Sequence, residues 1–386
     1  METYLDHAAT SPLDPRVFHA MRPWLEGGTG NASSVHAAGR HARATVEGAR
    51  EQVAEAVGVA PLEVLFTGGG SESDNTAVKG IARAARDAGA GAHLVTTAIE
   101  HPAVLQACRW LASRDGFDLT VVGVDADGLV APDDVFEAVR PDTVLVSVMA
   151  VNNELGTIQP LAEIGPRLAA DQVPLHSDAV QALGRVPLDL PGWGVGAASF
   201  SAHKVGGPTG VGVLTVRRDL PCEALIHGGG QERDIRSGTL DVAGIVGCGV
   251  AFANAVAERD DQVARLGGLR DRLLDGLLAV EGVTLNGSTR ARVSHNAHVA
   301  VRTCDTEALL LALDAQGVQV SAGSACQSGA NEPSPVLEAI GADLDGVAHL
   351  RFTLGRTTTR AQIDHTVLAF AETVARLRLA GGGLGW

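Results

Sequence analysis

The sequence predicts an α/β fold in which a mostly parallel sheet is covered by helices on both faces and is followed by a smaller α+β region. Short apolar segments alternate with helical patterns through about the first 250 residues, as in parallel strands joined by crossover helices. Aromatic residues make up only 3% of the chain, whereas glycine occurs 47 times. Small aliphatic side chains must therefore fill the core, which favours close packing of helices on a sheet.

The individual elements follow from local patterns. Ser33 is predicted to cap a helix that ends near Gly58, a second helix begins near Ser71, and Pro102 occupies a first helical turn. Predicted strands cover residues 64–67, 93–98, 119–124, 143–149 and 173–177, and helices cover 131–140 and 160–170. Farther along we predict one long amphipathic helix over 253–280 and strands over 297–302, 318–321 and 349–353.

The change of pattern near residue 250 predicts the domain organisation. We expect a large domain over residues 16–250 and a small C-terminal domain over 251–386. Residues 1–15 are predicted to form an N-terminal arm that contributes to the small domain. The glycine-rich end, residues 380–386, is predicted to be a flexible tail.

Charge and cysteine content exclude several classes of protein. The formal net charge of −15 argues against direct binding to nucleic acids or anionic membranes, because both need basic surfaces. No apolar run approaches the roughly 18 residues of a membrane span, and the N-terminus lacks a secretory pattern. The five cysteines are widely spaced and form no CxxC pair, which favours a reducing cytoplasm and predicts no metal site.

Lysine is rare in this chain. Of the 30 basic residues only Lys79 and Lys204 are lysines, so chemistry that needs a side-chain amine has two candidates. Lys204 follows a strand-like stretch among small, apolar and glycine residues, where a lysine is suited to Schiff-base formation. An ordinary surface lysine is the alternative. Lys79 lies on a helix without a polar cluster and is predicted to be solvated.

A glycine run at residues 68–70 separates a predicted strand from a predicted helix. Glycines allow backbone N–H groups to approach a phosphate, and a helix N-terminus favours negative charge. Gly70 would belong to this cradle, and the Ser71 hydroxyl would add a donor. Ser201 and His203, beside Lys204, are candidates for the same phosphate. A plain strand–helix turn is the alternative.

Three polar residues follow predicted strands, at the edge where open α/β sheets bind ligands. Asp178 needs a cationic partner if it is buried, such as a protonated pyridine nitrogen, unless it is a helix cap. His101 is suited to stacking on a planar ring and moving protons, although a lone histidine is more often a cap or loop residue. The Asn153 amide is suited to a ring hydroxyl, and its alternative is a turn residue.

Cys326 lies in a segment rich in glycine and serine, residues 321–334. This composition predicts an exposed and mobile loop, and accessibility is what a reactive cysteine requires. A spectator thiol is the alternative. The remaining cysteines have apolar or regular contexts that predict small core residues: Cys108, Cys222, Cys248 and Cys304.

In their order along the chain, these motifs resemble those of the group I cysteine desulfurases of the NifS/IscS type, within the class V aminotransferase superfamily. The resemblance extends from residues 4–10 to residues 350–356, through motifs at 30–36, 67–75, 100–101, 152–154, 178–181, 201–204, 227–233, 236–239 and 323–326. Each motif is weak by itself, whereas the ordered set is specific. The resemblance implies a pyridoxal-phosphate-dependent transferase of fold type I, like aspartate aminotransferase, with a mainly parallel seven-stranded sheet. The cofactor would lie in the large domain and the Cys326 loop in the small one.

The resemblance also implies a role for each candidate residue. Lys204 would hold pyridoxal 5′-phosphate as a Schiff base and take the α-proton of the substrate, Asp178 would pair with the pyridine nitrogen, and His101 would stack on the ring. The other implied contacts are Gly70, Ser71, Ser201 and His203 with the phosphate, Thr239 with the phosphate in the partner subunit of a homodimer, Asn153 and Gln181 with the ring oxygen, and Arg351 and Asn31 with the substrate carboxylate.

The implied activity is removal of sulfur from L-cysteine, which leaves L-alanine and a persulfide on Cys326. The sulfur would pass to an acceptor protein, such as an iron–sulfur scaffold or a tRNA-thiolation enzyme. The alternatives are a selenocysteine lyase, another class V enzyme such as a transaminase, and a noncatalytic sulfur-relay subunit. A transaminase needs no nucleophilic thiol, and the retained Lys204, Asp178 and His101 argue against a relay subunit.

Overall fold

The computed structural model describes residues 1–323 and 334–381, so Cys326 lies outside the described residues. In chain order the strands are β1 (Thr3–Tyr4), β2 (Val64–Thr67), β3 (His93–Thr97), β4 (Asp118–Val122), β5 (Thr143–Ser147), β6 (Leu175–Asp178), β7 (Val195–Ser201), β8 (Gly212–Val216), β9 (Val283–Leu285), β10 (Asn296–Arg302), β11 (Val318–Gln319) and β12 (Val347–Thr353). The helices are α1 (Pro15–Glu26), α2 (Ala37–Val57), α3 (Gly70–Asp87), α4 (Pro102–Arg114), α5 (Pro132–Glu137), α6 (Leu161–Ala170), α7 (Val242–Ala257), α8 (Arg259–Leu278), α9 (Thr306–Asp314), α10 (Pro335–Ala339) and α11 (Arg360–Gly381).

The central sheet has seven strands in the order β2-β8-β7-β6-β5-β3-β4. Strand β8 runs antiparallel to both of its neighbours, whereas every other pairing in this sheet is parallel. The predicted mainly parallel sheet is therefore confirmed. Strands β5, β6 and β7 are buried along their whole length, as expected for a sheet covered on both faces. Because six strands point the same way, their carboxyl ends meet at one edge.

A second, antiparallel sheet has the strand order β12-β10-β9, and α8 and α11 pack against each other beside it. Its core includes Leu273, Val299, Phe352 and Phe370, all of them fully buried. The chain start joins this region, because β1 pairs with β11 and the Thr353 N–H donates to the Leu5 carbonyl at 2.7 Å. The predicted boundary at residue 250 falls within α7, and the division into domains stays a prediction.

Two sequence predictions about helices are wrong. Ser33 does not cap α2, which begins at Ala37 after His36, whose Nδ1 accepts a hydrogen bond from Gly39 N at 3.3 Å. The helix predicted over 253–280 is two helices, α7 and α8, bent by 68° where they meet. No glycine or proline marks the bend. It follows from packing, since α7 lies against α1 and α2, whereas α8 lies against α11 and the second sheet.

Within residues 1–323 and 334–381, no single helix has the length and apolar character required to cross a membrane. Only α7 and α8 taken together satisfy these criteria, as a bent pair and by length and composition alone.

Candidate active site

The carboxyl ends of the parallel strands converge on a cavity of about 270 Å³. Most of the predicted site residues line it: Gly70, Ser71, His101, Asn153, Asp178, Gln181, Ser201, His203, Lys204 and Arg351. They come from many separate positions in the sequence. Parallel strand direction brings them together, because residues that follow β2, β3, β5, β6 and β7 all emerge at the same edge of the sheet.

The glycine run forms the start of α3. Gly69 is the N-cap residue with φ of 149°, a value that L side chains rarely adopt, and no side chain caps the helix. A Cβ atom at Gly70 would lie only 2.9 Å from Val180 Cγ2, so a larger residue there would require a shift of that side chain. The first N–H groups of this 18-residue helix are therefore available at the cavity, which suits a phosphate.

Lys204 follows β7 in a short 3₁₀ turn, Ala202–Val205. Its Nζ donates to the carbonyls of Ala8 and Ala9 at 2.7 and 2.6 Å, so the N-terminal segment holds the amine at the cavity wall. Lys79 does not contribute to the described lining of this cavity. The prediction that Lys79 is solvated is wrong in part, because the side chain is half-buried with Nζ 4.8 Å from the centroid of the Trp110 ring.

Buried carboxyl groups crowd one end of the cavity. Asp178 ends β6, and its Oδ1 accepts a hydrogen bond from Val180 N at 2.9 Å. Burial raises the pKa of Asp178, although the charges of His101 and Lys204 act in the opposite direction. Burial, followed by the charge of Asp178, holds the pKa of Asp74 well above its ordinary value. Burial also raises the pKa of Glu100 to about 8. This end of the cavity is therefore suited to a bound cation.

His101 is the N-cap residue of α4, so the alternative interpretation of this residue as a helix cap is also correct. Its Nδ1 accepts a hydrogen bond from Ala103 N at 3.1 Å. A neutral imidazole that accepts through Nδ1 carries its hydrogen on Nε2, which defines the tautomer. One atom each of His101, Asp74 and Asp178 lie within 4.8 Å of one another, so the cap contact also holds the imidazole beside the carboxyl groups.

Arg351 contributes a buried basic group to the cavity, and its side chain is only 2% exposed. Its NH1 donates to the carbonyls of Asn153 and Gly323, both at 2.9 Å, and its NH2 donates to Asp6 Oδ1 at 2.7 Å. Nε has no partner among the described residues. A substrate carboxylate would thus meet Nε or displace existing partners of the terminal nitrogens.

Gln181 and His203 are also held by protein contacts. The Gln181 Nε2 donates to the Ala8 carbonyl at 3.0 Å, and its Oε1 accepts from Arg185 NH1 at 2.8 Å. His203 Nδ1 lies 3.0 Å from Thr10 Oγ1. Burial, helped by the charge of Lys204, lowers the pKa of His203 to about 4. This side chain is therefore neutral at physiological pH and would act as a hydrogen-bonding group rather than a cation.

Two predicted site residues are not brought into this cavity, and a third lies outside the described residues. Asn31 and Thr239 are exposed and do not belong to its described lining, and the Asn31 Oδ1 accepts from Ser33 N at 2.9 Å. Thr239 was predicted to act in a partner subunit, which a single chain does not test. Cys326 lies outside the described residues. All three assignments stay predictions.

Sequence reasoning missed the acids Asp74, Glu100 and Glu154 as members of the site, although all three line the cavity. One signal was available for Asp74, which lies four residues after Gly70 and therefore on the same face of α3. Glu154 is buried and accepts from Ser334 Oγ at 2.7 Å. Burial raises its pKa. The sequence around Glu154 carries no comparable signal, because its partners lie far along the chain.

The other four cysteines are buried or half-buried. Cys108, Cys248 and Cys304 are buried, as predicted, whereas Cys222 is only half-buried. Burial raises the pKa of both Cys108 and Cys222 to about 12. These groups are therefore protonated thiols at neutral pH and poor nucleophiles.

Comparison with known proteins identifies the class. Residues 3–366 match the family model of class V aminotransferases, and the chain belongs to that family. It is similar to the IscS-like cysteine desulfurase of Mycobacterium tuberculosis (strain ATCC 25618 / H37Rv), with 48% identity over 383 residues, 98% of this chain and 97% of the relative. A solved NifS-like protein superposes with a TM-score of 0.91 at 34% identity, covering 97% of this chain and 100% of that one. A structure of SspA in complex with cysteine has a TM-score of 0.79 at 34% identity, with 91% and 98% coverage. The predicted resemblance and fold type are confirmed.

Enzymes of this family use pyridoxal 5′-phosphate, and the cavity fits that cofactor. The uncapped start of α3 suits its phosphate, and the buried Asp178, whose pKa is raised, suits a protonated ring nitrogen. Lys204 supplies an amine in the same cavity. The spacing of Asp74, His101 and Asp178 would also suit a metal ion, but a protonated ring nitrogen would equally supply a cation at these acids.

Proposed function

We propose that this chain is a pyridoxal-phosphate-dependent cysteine desulfurase. It takes sulfur from L-cysteine, releases L-alanine and carries the sulfur as a persulfide on Cys326. The observation that carries the proposal is the single cavity that contains Lys204, Asp178, His101 and Arg351 beside an uncapped helix start. Such a cavity has an amine, an acid for a ring nitrogen, an imidazole and a guanidinium, which are the groups that an amino-acid substrate and this cofactor require.

Each residue has a stated task in this proposal. When bound, pyridoxal 5′-phosphate would supply a sink for electrons from the α-carbon of the substrate. The Lys204 amine holds the cofactor and then removes the α-proton, while Arg351 orients the substrate carboxylate, with Asn31 as a second contact. His101, hydrogen-bonded through Nδ1 to Ala103 N, moves protons through Nε2. The Cys326 thiolate attacks the sulfur of the substrate, forming the S–S bond of the persulfide as the C–S bond breaks.

Around the cofactor, Gly70, Ser71, Ser201 and His203 hold the phosphate. Asn153 and Gln181 contact the ring oxygen, and Thr239 reaches the phosphate of the partner subunit in a homodimer. The exposure of Thr239 is compatible with a role across an interface. An acceptor protein, such as an iron–sulfur scaffold or a tRNA-thiolation enzyme, removes the sulfur. The site of action is the cytoplasm, in agreement with the four free cysteines among the described residues.

The test uses the purified enzyme with L-cysteine and a reductant. We expect a yellow protein that releases sulfide and alanine in equal amounts. Cys326→Ser should keep the colour and lose sulfide release, whereas the matched variant Cys222→Ser should keep both, because the Cys222 thiol is half-buried and protonated. Colour without cysteine turnover would instead identify a transaminase, and a colourless protein that cannot bind the cofactor would identify a relay subunit.

Two variants test whether Lys204, and not Lys79, holds the cofactor. Lys204→Ala should lose the visible absorption of the bound cofactor and at least about 1,000-fold in alanine release, because the amine is both the attachment point and the base. Lys79→Ala should keep both, since Lys79 packs on Trp110 and not at the cavity. The reverse outcome would transfer the role to Lys79.

A further inference from the structure

A second cavity, of about 120 Å³, lies behind the active site, where the N-terminal arm, the α7–α8 junction and the end of β12 meet. Its lining includes His7, Arg185, Asn254 and His295, together with Lys204, which also lines the active-site cavity. None of the tasks assigned in the proposed reaction uses His295 or Asn254.

His295 is unusual among the buried histidines that the structure describes. His93 and His176 each place both ring nitrogens against hydroxyl groups, at 2.8 and 2.9 Å and at 2.8 and 3.0 Å. His295 is 3% exposed, and neither of its ring nitrogens has a partner among the described residues. Unsatisfied buried nitrogens are costly, so a ligand in the cavity that accepts a hydrogen bond from the ring N–H would stabilise this site.

Positively charged arginines lie near His295. Burial, followed by the charge of Arg185, holds the pKa of His295 well below its ordinary value, and the charges of Arg351 and Arg270 act in the same direction. Arg185 hydrogen-bonds only to oxygen atoms of Gln181 and Lys204, and it has no carboxylate partner in the described part of the chain. Its burial lowers its own pKa to about 10. A guanidinium in this setting lacks a counterion.

The acids at the cavity do not supply that counterion, because each is already paired. Asp14 accepts from Arg16 NH2 at 2.7 Å and lies 3.3 Å from Arg356 Nε, and Glu258 also pairs with Arg16. The remaining group is Asn254, whose Nδ2 is buried and has no partner among the described residues. An amide N–H₂, an imidazole and a guanidinium thus line one small cavity.

We propose that this second cavity is a binding site for one small monovalent anion, of halide or carboxylate size, held by His295, Asn254 and Arg185. The anion is the counterion of Arg185. Since Arg185 donates to the side chain of Gln181 at 2.8 Å and to the Lys204 carbonyl at 3.1 Å, the anion supports two residues of the active site from behind.

Crystals of the holoenzyme grown in sodium bromide provide the direct test. We expect one anomalous peak in the second cavity, in contact with His295 and Asn254. Bromide peaks elsewhere on the protein, with only water in this cavity, would overturn the proposal. Neither outcome depends on catalytic activity, so a failure here is distinct from a failure of the proposed reaction.

Thermal unfolding of the holoenzyme provides the second test. Bromide replaces gluconate, a bulky reference anion, at constant ionic strength. The Tm of the wild type should rise by about 1–3 °C and saturate. Asn254→Asp, which places a carboxylate in the cavity, should abolish the response, and Gln52→Glu, the same charge change on an exposed surface, should retain it. Equal responses in Asn254→Asp and the wild type would refute the site. In a parallel series with formate, a saturating rise in Tm that Asn254→Asp abolishes would extend the site to small carboxylates.

Discussion

Buried charge is arranged differently at the two ends of the active-site cavity. Asp178, Asp74 and Glu100 are crowded together with raised pKa values, and no arginine forms an ion pair with them among the described residues. Arg351, in contrast, already has Asp6 and two backbone carbonyls as partners. The carboxyl groups at the acid end are thus suited to binding a cationic ligand, whereas Arg351 already has hydrogen-bonding partners before any substrate binds. Changes at the first end should affect the cofactor, and changes at the second should affect the substrate.

The largest effect is expected at the acid end. Asp178→Ala should reduce cofactor affinity and alanine release by about 100-fold or more, because it removes the buried carboxylate that we propose as the partner of the ring nitrogen. Equilibrium dialysis of the cofactor and its visible absorption measure the change. Asp171→Ala, an exposed aspartate after α6, is the control and should behave like the wild type. If Asp178→Ala binds the cofactor normally, the cation is held by another group.

A smaller effect, of a different kind, is expected at the arginine end. Arg351→Lys should raise the KM for L-cysteine by about 10-fold to 100-fold and leave cofactor absorption unchanged, because lysine keeps the charge but not the planar fork. Steady-state kinetics with each variant measure it, and the exposed Arg356→Lys serves as the control. A fall in cofactor affinity with an unchanged KM would contradict the distinction between the two ends.

The smallest effect concerns stability and pH. The pKa of Glu100 is about 8 in the fold against an ordinary value of 4.5, so the folded protein retains a proton that the unfolded chain releases. The contribution of Glu100 to the free energy of unfolding is fully present below pH 4.5 and is lost as the pH rises to about 8. The Tm of the wild type should therefore fall more across this range than that of Glu100→Gln.

The control for this comparison is Glu55→Gln, a change of the same type on the exposed side of α2, which should follow the wild type. Calorimetry on the cofactor-free protein from pH 5 to about pH 8 measures all three Tm curves. A Glu100→Gln curve parallel to that of the wild type would show that Glu100 is ionised in the folded protein.

Local sequence patterns were sufficient for much of the fold. The strands predicted at 64–67 and 93–98 are β2 and β3. Helix α2 ends at Val57 and is followed by Gly58, which has the left-handed φ of 75° typical of the residue after a helix. The glycine run before α3 and the small-residue context of Lys204 were also readable, because each depends on neighbours within a few residues. The role of each motif in the site came from its resemblance to a known family.

Only the tertiary structure decided the rest. The bend between α7 and α8, the grouping of Asp74 with Asp178, the partners of Arg351 and the unpartnered His295 all depend on residues that are distant in the sequence. Burial and electrostatic environment are properties of the packed molecule, since the same carboxyl group titrates normally in water and abnormally beside a second buried acid. The sequence thus determined which chemical groups are present and in what order, and packing determined which of them carry unbalanced charge.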